Sequence, residues 1–290
     1  PADRRLLRLN ADSSLDTSFN PSSPLLPRFV TAARQSDGKV VVVGSFSSVN
    51  GMARPGLARV LADGSVDVAF RPSEPIVWEL SQFANGETYA SVIPQSDGGV
   101  VIVGSLSIAG ATPRSGLVRY RTDGTVDPAF RAELNVGGSI NAAIALLNGR
   151  IVIVGEFTSV NGAPRNSLAA FLPTGTLDPA IGFVAGSGNR IRALAARADG
   201  GFFMAGSGSI TSVGGELRQG VAALHSSGEV DRGFVAELTA QDSVMAISAT
   251  PDGGVVIASP NPPSAVPRAH LRRLRNNGRI DPAFTFPLEV

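Results

Sequence analysis

The sequence has no cysteine, two histidines, one lysine and one tryptophan in 290 residues. Without cysteine there is no disulfide, no thiolate metal site and no cysteine nucleophile. His225 and His270 are too few for a three-histidine zinc centre. Neither has a serine and an acid beside it to suggest a catalytic triad. Basic and acidic residues nearly cancel, 25 against 24, so the positive excess of a nucleic-acid binder is missing. No apolar run reaches the length of a membrane span, so no membrane insertion is expected. There is no initiator methionine and no signal peptide at Pro1, which fits a mature form or an excised piece. At 43% hydrophobic and 17% charged, the composition is that of a globular protein.

The chain does contain a repeat, and repeats decide fold before anything else does. One motif recurs as SSLDTSF (13–19), GSVDVAF (64–70), GTVDPAF (124–130), GTLDPAI (175–181), GEVDRGF (228–234) and GRIDPAF (278–284). Its aspartates, Asp16, Asp67, Asp127, Asp178, Asp231 and Asp281, are spaced 51, 60, 51, 53 and 50 residues apart. A second motif alternates with it: SDGKVVVVGSF (36–46), SDGGVVIVGSL (96–106), LNGRIVIVGEF (147–157), ADGGFFMAGSG (198–208) and PDGGVVIASPN (251–261). Each unit reads as four β-strands, A to D. An Asp-Gly or Asn-Gly pair joins A to B, a strong hairpin signal because these residues tolerate φ > 0. Strand B is a continuous apolar run, such as Val40–Val43, which implies burial on both faces. Strand C alternates and leads through a glycine turn to D. There period two places Val66, Val68 and Phe70 on one face.

Four short strands in about 50 residues match one blade of a β-propeller. The predicted fold is all-β, a propeller of four-stranded antiparallel blades in a single domain, 1–290. It has five full blades (about 20–70, 71–130, 131–181, 182–234 and 235–284) and an N-terminal half-blade, 4–19. The intact ring would hold five to seven blades, with six favoured. Three arrangements fit the spare hairpin: a longer parent array, completion by another molecule, or a two-stranded blade at a seam.

The pattern in Arg59-Val60-Leu61-Ala62-Asp63-Gly64-Ser65-Val66-Asp67 with Phe70, and in Asp37-Gly38-Lys39 through Phe46, resembles the bacterial delta-60 repeat. That resemblance implies β-propellers of secreted and surface proteins, an extracellular or cell-surface location, and no catalytic residues. The last unit departs from the pattern, with Ser259 in place of the glycine at Gly44, Gly104, Gly155 and Gly206.

Residues present in every blade serve a need that every blade has. The six aspartates read as structural carboxylates that accept backbone N–H groups between neighbouring blades. As calcium ligands they would lack the roughly 6–8 oxygens that ion takes, so no metal is expected. Arg54, Arg114, Arg165, Arg218 and Arg268 recur thirteen residues before the aspartates and read as inter-blade bridges.

Function is sought where the repeat breaks. The segment 71–92 accounts for the 60-residue spacing and carries Trp78, Glu79, Phe83, Glu87 and Tyr89. Read as a D–A loop, it lies on the same face as the B–C loops, where aromatic residues suit a glycan or protein partner. Folding back as a small satellite core is the other reading. Arg268, Arg272, Arg273 and Arg275, with Arg4, Arg5 and Arg8, would form one basic seam. The main expectation is a non-catalytic extracellular scaffold, without cofactor, binding a glycan, a protein partner, further copies or other parts of a longer chain. The alternatives are a self-assembling fibre or layer component, and a polysaccharide-active enzyme using Glu79, Glu87, Glu133 or Glu237.

Overall fold

The computed structural model describes residues 7–19, 28–78, 90–108, 115–130, 136–181, 190–213, 215–239, 242–259 and 270–284. It packs as two compact units, Pro1–Leu134 and Asn135–Val290, divided in the connection between the second and third blades. The first unit holds the half-blade and two blades. The second holds three. Among the described residues there is no helix.

Every blade is an antiparallel A–B–C sheet. In the first blade A is Arg28–Arg34, B is Val40–Ser45 and C is Leu57–Val60. The third runs Val136–Ala145, Ile151–Val160 and Leu168–Phe171. The fourth runs Arg190–Ala196, Phe202–Val213 and Glu216–Leu224. The fifth runs Ala246–Ala249, Val255–Ser259 and His270–Leu274. The second has B at Val100–Ile108 and C at Ser115–Tyr120, with strand A in two pieces, Ile76–Trp78 and Ala90–Pro94.

Strand D is shorter than the sequence pattern suggests. It is reduced to a single bridge, Val60 to Val66 in the first blade, with equivalents in every other blade. Asp67 explains the stop. Its backbone carbonyl accepts the N–H of Phe70, closing a turn, while its carboxylate accepts the N–H of Ala69. A turn destroys period two, so Val68 faces solvent while Val66 and Phe70 are buried.

The turns separate into two chemistries. At A–B and C–D turns one residue has φ > 0, a glycine such as Gly38 at 86° and Gly64 at 84°, with Ser13 at 68° in its place in the half-blade. The preceding aspartate keeps ordinary φ and accepts the N–H two residues on, as Asp37 does from Lys39 and Asp63 from Ser65. Both residues take positive φ only in the B–C hairpins, at Asn50-Gly51 and Asn161-Gly162. The C–D glycines also permit close approach. A Cβ on Gly278 would stand 2.2 Å from the carbonyl oxygen of Val235, where the chain enters the fifth blade. There Val235 and Glu237 donate their N–H groups to the carbonyls of Asn277 and Gly278.

Strand B is a continuous apolar run because it is sandwiched. Val42 joins Phe19, Ala58, Val60 and Val66, on the side of the half-blade. Val41 and Val43 face the other way, joining Val92, Val100, Ile102 and Tyr120 of the second blade. Each buried valine contributes about 1.5–3 kcal/mol.

Candidate functional site

Among the described residues, the charged chemistry centres on the six aspartates. Antiparallel register sets each one opposite the residue eight positions earlier, since Asp67 N–H donates to Arg59 O and the other five repeat this bond. In the first blade Arg59 Nε lies 2.8 Å from Asp67 Oδ2, and its guanidinium stacks 4.5 Å over the Phe70 ring. Arg8 Nε meets Asp16 at 2.7 Å in the half-blade, over Phe19. In the fifth blade Asp281 takes Arg275 at 2.9 Å and Arg273 at 3.2 Å. In the second, Arg121 meets Asp127 at 3.1 Å.

Two blades solve the problem differently. Ala170 and Ala223 stand where arginine would be on strand C. Asp178 is instead paired by Arg150, from the A–B turn, at 2.8 Å. Asp231 is paired by Arg197, four positions earlier in the aligned A–B turn, also at 2.8 Å. Burial by itself would raise the Asp67 carboxyl, but the bonds from Arg59 and the Ala69 N–H outweigh it and leave the group below its usual range. Asp231 behaves alike, with Arg197 and Gly233 opposing its burial.

The sequence placed the aspartates' hydrogen bonds between blades, but the N–H groups they accept are local, two residues on in the same turn. The bridge between blades is made by the paired arginines. Arg8 donates onward to Ala62 O, Arg59 to Thr122 O and Arg150 to Ser226 O, three equivalent carbonyls in the next blade's C–D turn. Among the described residues Arg54, Arg165 and Arg218 make no bond to another blade. Each curls back onto the carbonyl of the residue before it, and their Nε atoms are buried without a partner among the described residues. Arg114 and Arg268 lie outside the described residues.

Three arginines of the expected basic seam carry acidic partners, while Arg4, Arg5 and Arg268 lie outside the described residues. Arg272 pairs with Asp242, Arg273 with Asp252 and Asp281, and Arg275 with Asp281. Glu237 is also occupied, its carboxylate accepting the N–H of Ile280. Among the described residues no group of three His, Asp or Glu side chains could hold a metal ion.

The long segment is not a D–A loop. Ile76, Val77 and Trp78 pair with Ile108, Ser107 and Leu106, and Ala90 resumes opposite Gly104 on the same strand. Residues 79–89 therefore interrupt strand A opposite Ser105. In the third blade a single residue, Ser139, fills the equivalent place opposite Glu156. Glu79, Phe83, Glu87 and Tyr89 fall in this insertion and, like Glu133, outside the described residues. Trp78 is the last residue before it. The B–C hairpin of the first blade pairs Ser48–Val49 with Met52–Ala53.

A family model described as "domain of unknown function (DUF5122) beta-propeller" matches residues 1–19, 35–70, 95–130 and 146–180. The chain is a β-propeller repeat protein. The model stops at residue 180, yet the fourth and fifth blades repeat the same turns and bridges. Two solved structures share the fold. PorZ, a bacterial surface component of the type-IX secretion system of Porphyromonas gingivalis, is 14% identical, with TM-score 0.51 over 89% of this chain and 34% of its own. The propeller thus spans about a third of that protein's length. A streptogramin B lyase is 11% identical, with TM-score 0.50 over 95% of this chain and 74% of its own. No curated protein matches the sequence.

Proposed function

We propose that the chain is a non-catalytic, extracellular or cell-surface scaffold that binds a glycan or protein partner through the 79–89 insertion and the adjoining B–C rim. One observation carries the reading: the insertion adds to a blade without disturbing it. The two pieces of strand A keep their pairing to one strand B on either side of the break. An excursion on an intact frame is how rigid scaffolds carry binding loops. Its aromatic residues suit sugar faces and protein anchors. The recurring carboxylates are committed to turns and ion pairs, which leaves them poorly suited to acid–base chemistry. The resemblance to the delta-60 repeat supports the surface location.

The test replaces residues 79–89 by one serine, as the third blade has at Ser139. The variant should keep the wild-type melting temperature and lose binding on an array of defined bacterial and plant polysaccharides and surface proteins. Equal binding by wild type and variant, or no binding by wild type, would overturn the reading.

A further inference from the structure

In each blade the D-turn aspartate belongs to a cluster of ion pairs that reaches the A–B turn, and carboxylates and cations there match one for one, the fourth blade excepted. In the first, Lys39 joins Asp37 at 3.0 Å to Asp67 at 3.7 Å, and Arg59 is the second cation. In the second, Arg119 joins Asp97 to Asp127, and Arg121 is the second cation. In the fifth, Arg273 joins Asp252 to Asp281, and Arg275 is the second. The third has Asn148 in place of the A–B aspartate, and one cation, Arg150, answers Asp178.

The fourth blade is one arginine short. Arg197 alone serves both Asp199 and Asp231, each at 2.8 Å. The position six residues before the D-turn aspartate, filled by Arg121 and Arg275 in the other blades with Asp-Gly-Gly turns, holds His225. Both arginines reach the same carboxylate oxygen, Oδ1, Arg121 at 3.1 Å and Arg275 at 2.9 Å. Asp231 Oδ1 accepts the N–H of Gly233, as its counterparts accept those of Ala129 and Ala283. His225 is exposed and makes no ion pair among the described residues, yet its charge is felt at Asp231. Burial raises that carboxyl, while Arg197, the Gly233 N–H and His225 lower it. The other charged groups around His225 are Asp199 in the same cluster, Glu229, whose carbonyl accepts the His225 N–H, and Arg150 of the third blade, which donates to Ser226 O.

We propose that protonated His225 is the missing cation: it takes Asp231 Oδ1 and tightens the C–D turn of the fourth blade as pH falls from about 8 to about 5. Imidazole is the side chain whose charge ordinarily changes in that window. A cation that gains a carboxylate partner in the fold stabilises it while it holds its proton, and that contribution is lost as pH rises. Asp231, held low, stays ionised throughout. Ser226 follows His225 and accepts Arg150 from the third blade, so the proton-linked turn is one end of a tie between blades. The latch is a feature of one blade, since the others carry lysine or arginine in the same role.

Amide hydrogen exchange, corrected for the intrinsic rate at each pH, reads the turn directly. Gly228 donates its N–H to His225 O, as Gly124 does to Arg121 O and Gly278 to Arg275 O. Protection of Gly228 should rise roughly two- to fivefold between about pH 8 and about pH 5, the range of an exposed ion pair, while Gly124 and Gly278 stay constant. The urea midpoint of the whole chain should not register so small and local an effect. His225→Gln should abolish the response, and His225→Arg should give high protection at both pH values. Glu229→Gln should respond as wild type does. Positions 225 and 229 are exposed, so circular dichroism should show all three variants folded. Constant protection of Gly228 in the wild type overturns the proposal. So does a response that survives His225→Gln, or one that disappears with Glu229→Gln.

Discussion

Asp67 and Asp16 occupy one position of the repeat and make one set of bonds, yet their surroundings differ. Each accepts the N–H two residues on and the Nε of the arginine across the hairpin. The first pair is enclosed, with 5% of the Arg59 side chain and 8% of the Asp67 side chain exposed. The second is open, at 39% for Arg8 and 17% for Asp16. A buried charge that loses its partner has no water to turn to, whereas an exposed one does. Asp67→Ala should therefore destabilise the first unit by about 3–5 kcal/mol, because Arg59 is left buried and unpaired. Asp16→Ala should hardly move the denaturation midpoint. Equal losses in urea denaturation would mean that geometry, not burial, sets the value of the pair.

The third and fourth blades sharpen the comparison, since they keep the aspartate and move the arginine. What the blade requires is a guanidinium at the carboxylate, from whichever strand can reach it. Arg197→Gln should cost about 1.5–3 kcal/mol, the range for a hydrogen bond to a charged group. Ala223→Arg, which restores the strand-C position used by Arg59, should recover at least half of that loss. Failure to recover would show that the Ala223 site is too tightly packed to admit the side chain. The exchange between positions would then need a larger change of the blade.

This interchange explains what was legible in the sequence. The aspartates, turn glycines and strand-B runs recur in register, because each answers a backbone requirement identical in every blade. Together they fix the propeller architecture. The arginine partner at Arg8, Arg59 and Arg273 is also visible in the repeat, eight residues before its aspartate. Its role becomes readable only once Val60 is paired with Val66 across the hairpin. Arg150 and Arg197 cannot be found by repeat alignment, because they come from different positions. Arg54, Arg165 and Arg218 recur strictly but turn back on their own hairpins, so recurrence marks a structural need without naming the partner. The insertion shows the opposite limit. Ile76-Val77-Trp78 is too short to read as a strand, so segment 71–92 looked like one loop until the pairing to Leu106–Ile108 located the break within strand A.

The smallest effect is expected at Asp16 and is read in its titration. The Ser18 hydroxyl, then Arg8, hold its carboxyl down at about 2. A carboxylate depressed in the folded state stabilises the fold above its unfolded pKa of about 4, and that stability fades as pH falls through the folded value. Both Asp16 and Asp67 therefore favour folding at neutral pH and lose their contribution in acid. The urea midpoint should be flat from about pH 5 upward and fall below about pH 4. Asp67→Asn should flatten that fall, because Asp67 is enclosed, and Asp16→Asn should flatten it less, because its exposed carboxylate is screened by water. Carboxyl NMR should find Asp16 titrating near 2, with Ser18→Ala raising the midpoint more than Arg8→Gln. The reverse order would put the guanidinium, not the turn hydroxyl, in control of the exposed copy. The open and enclosed pairs would then be governed by the same contact.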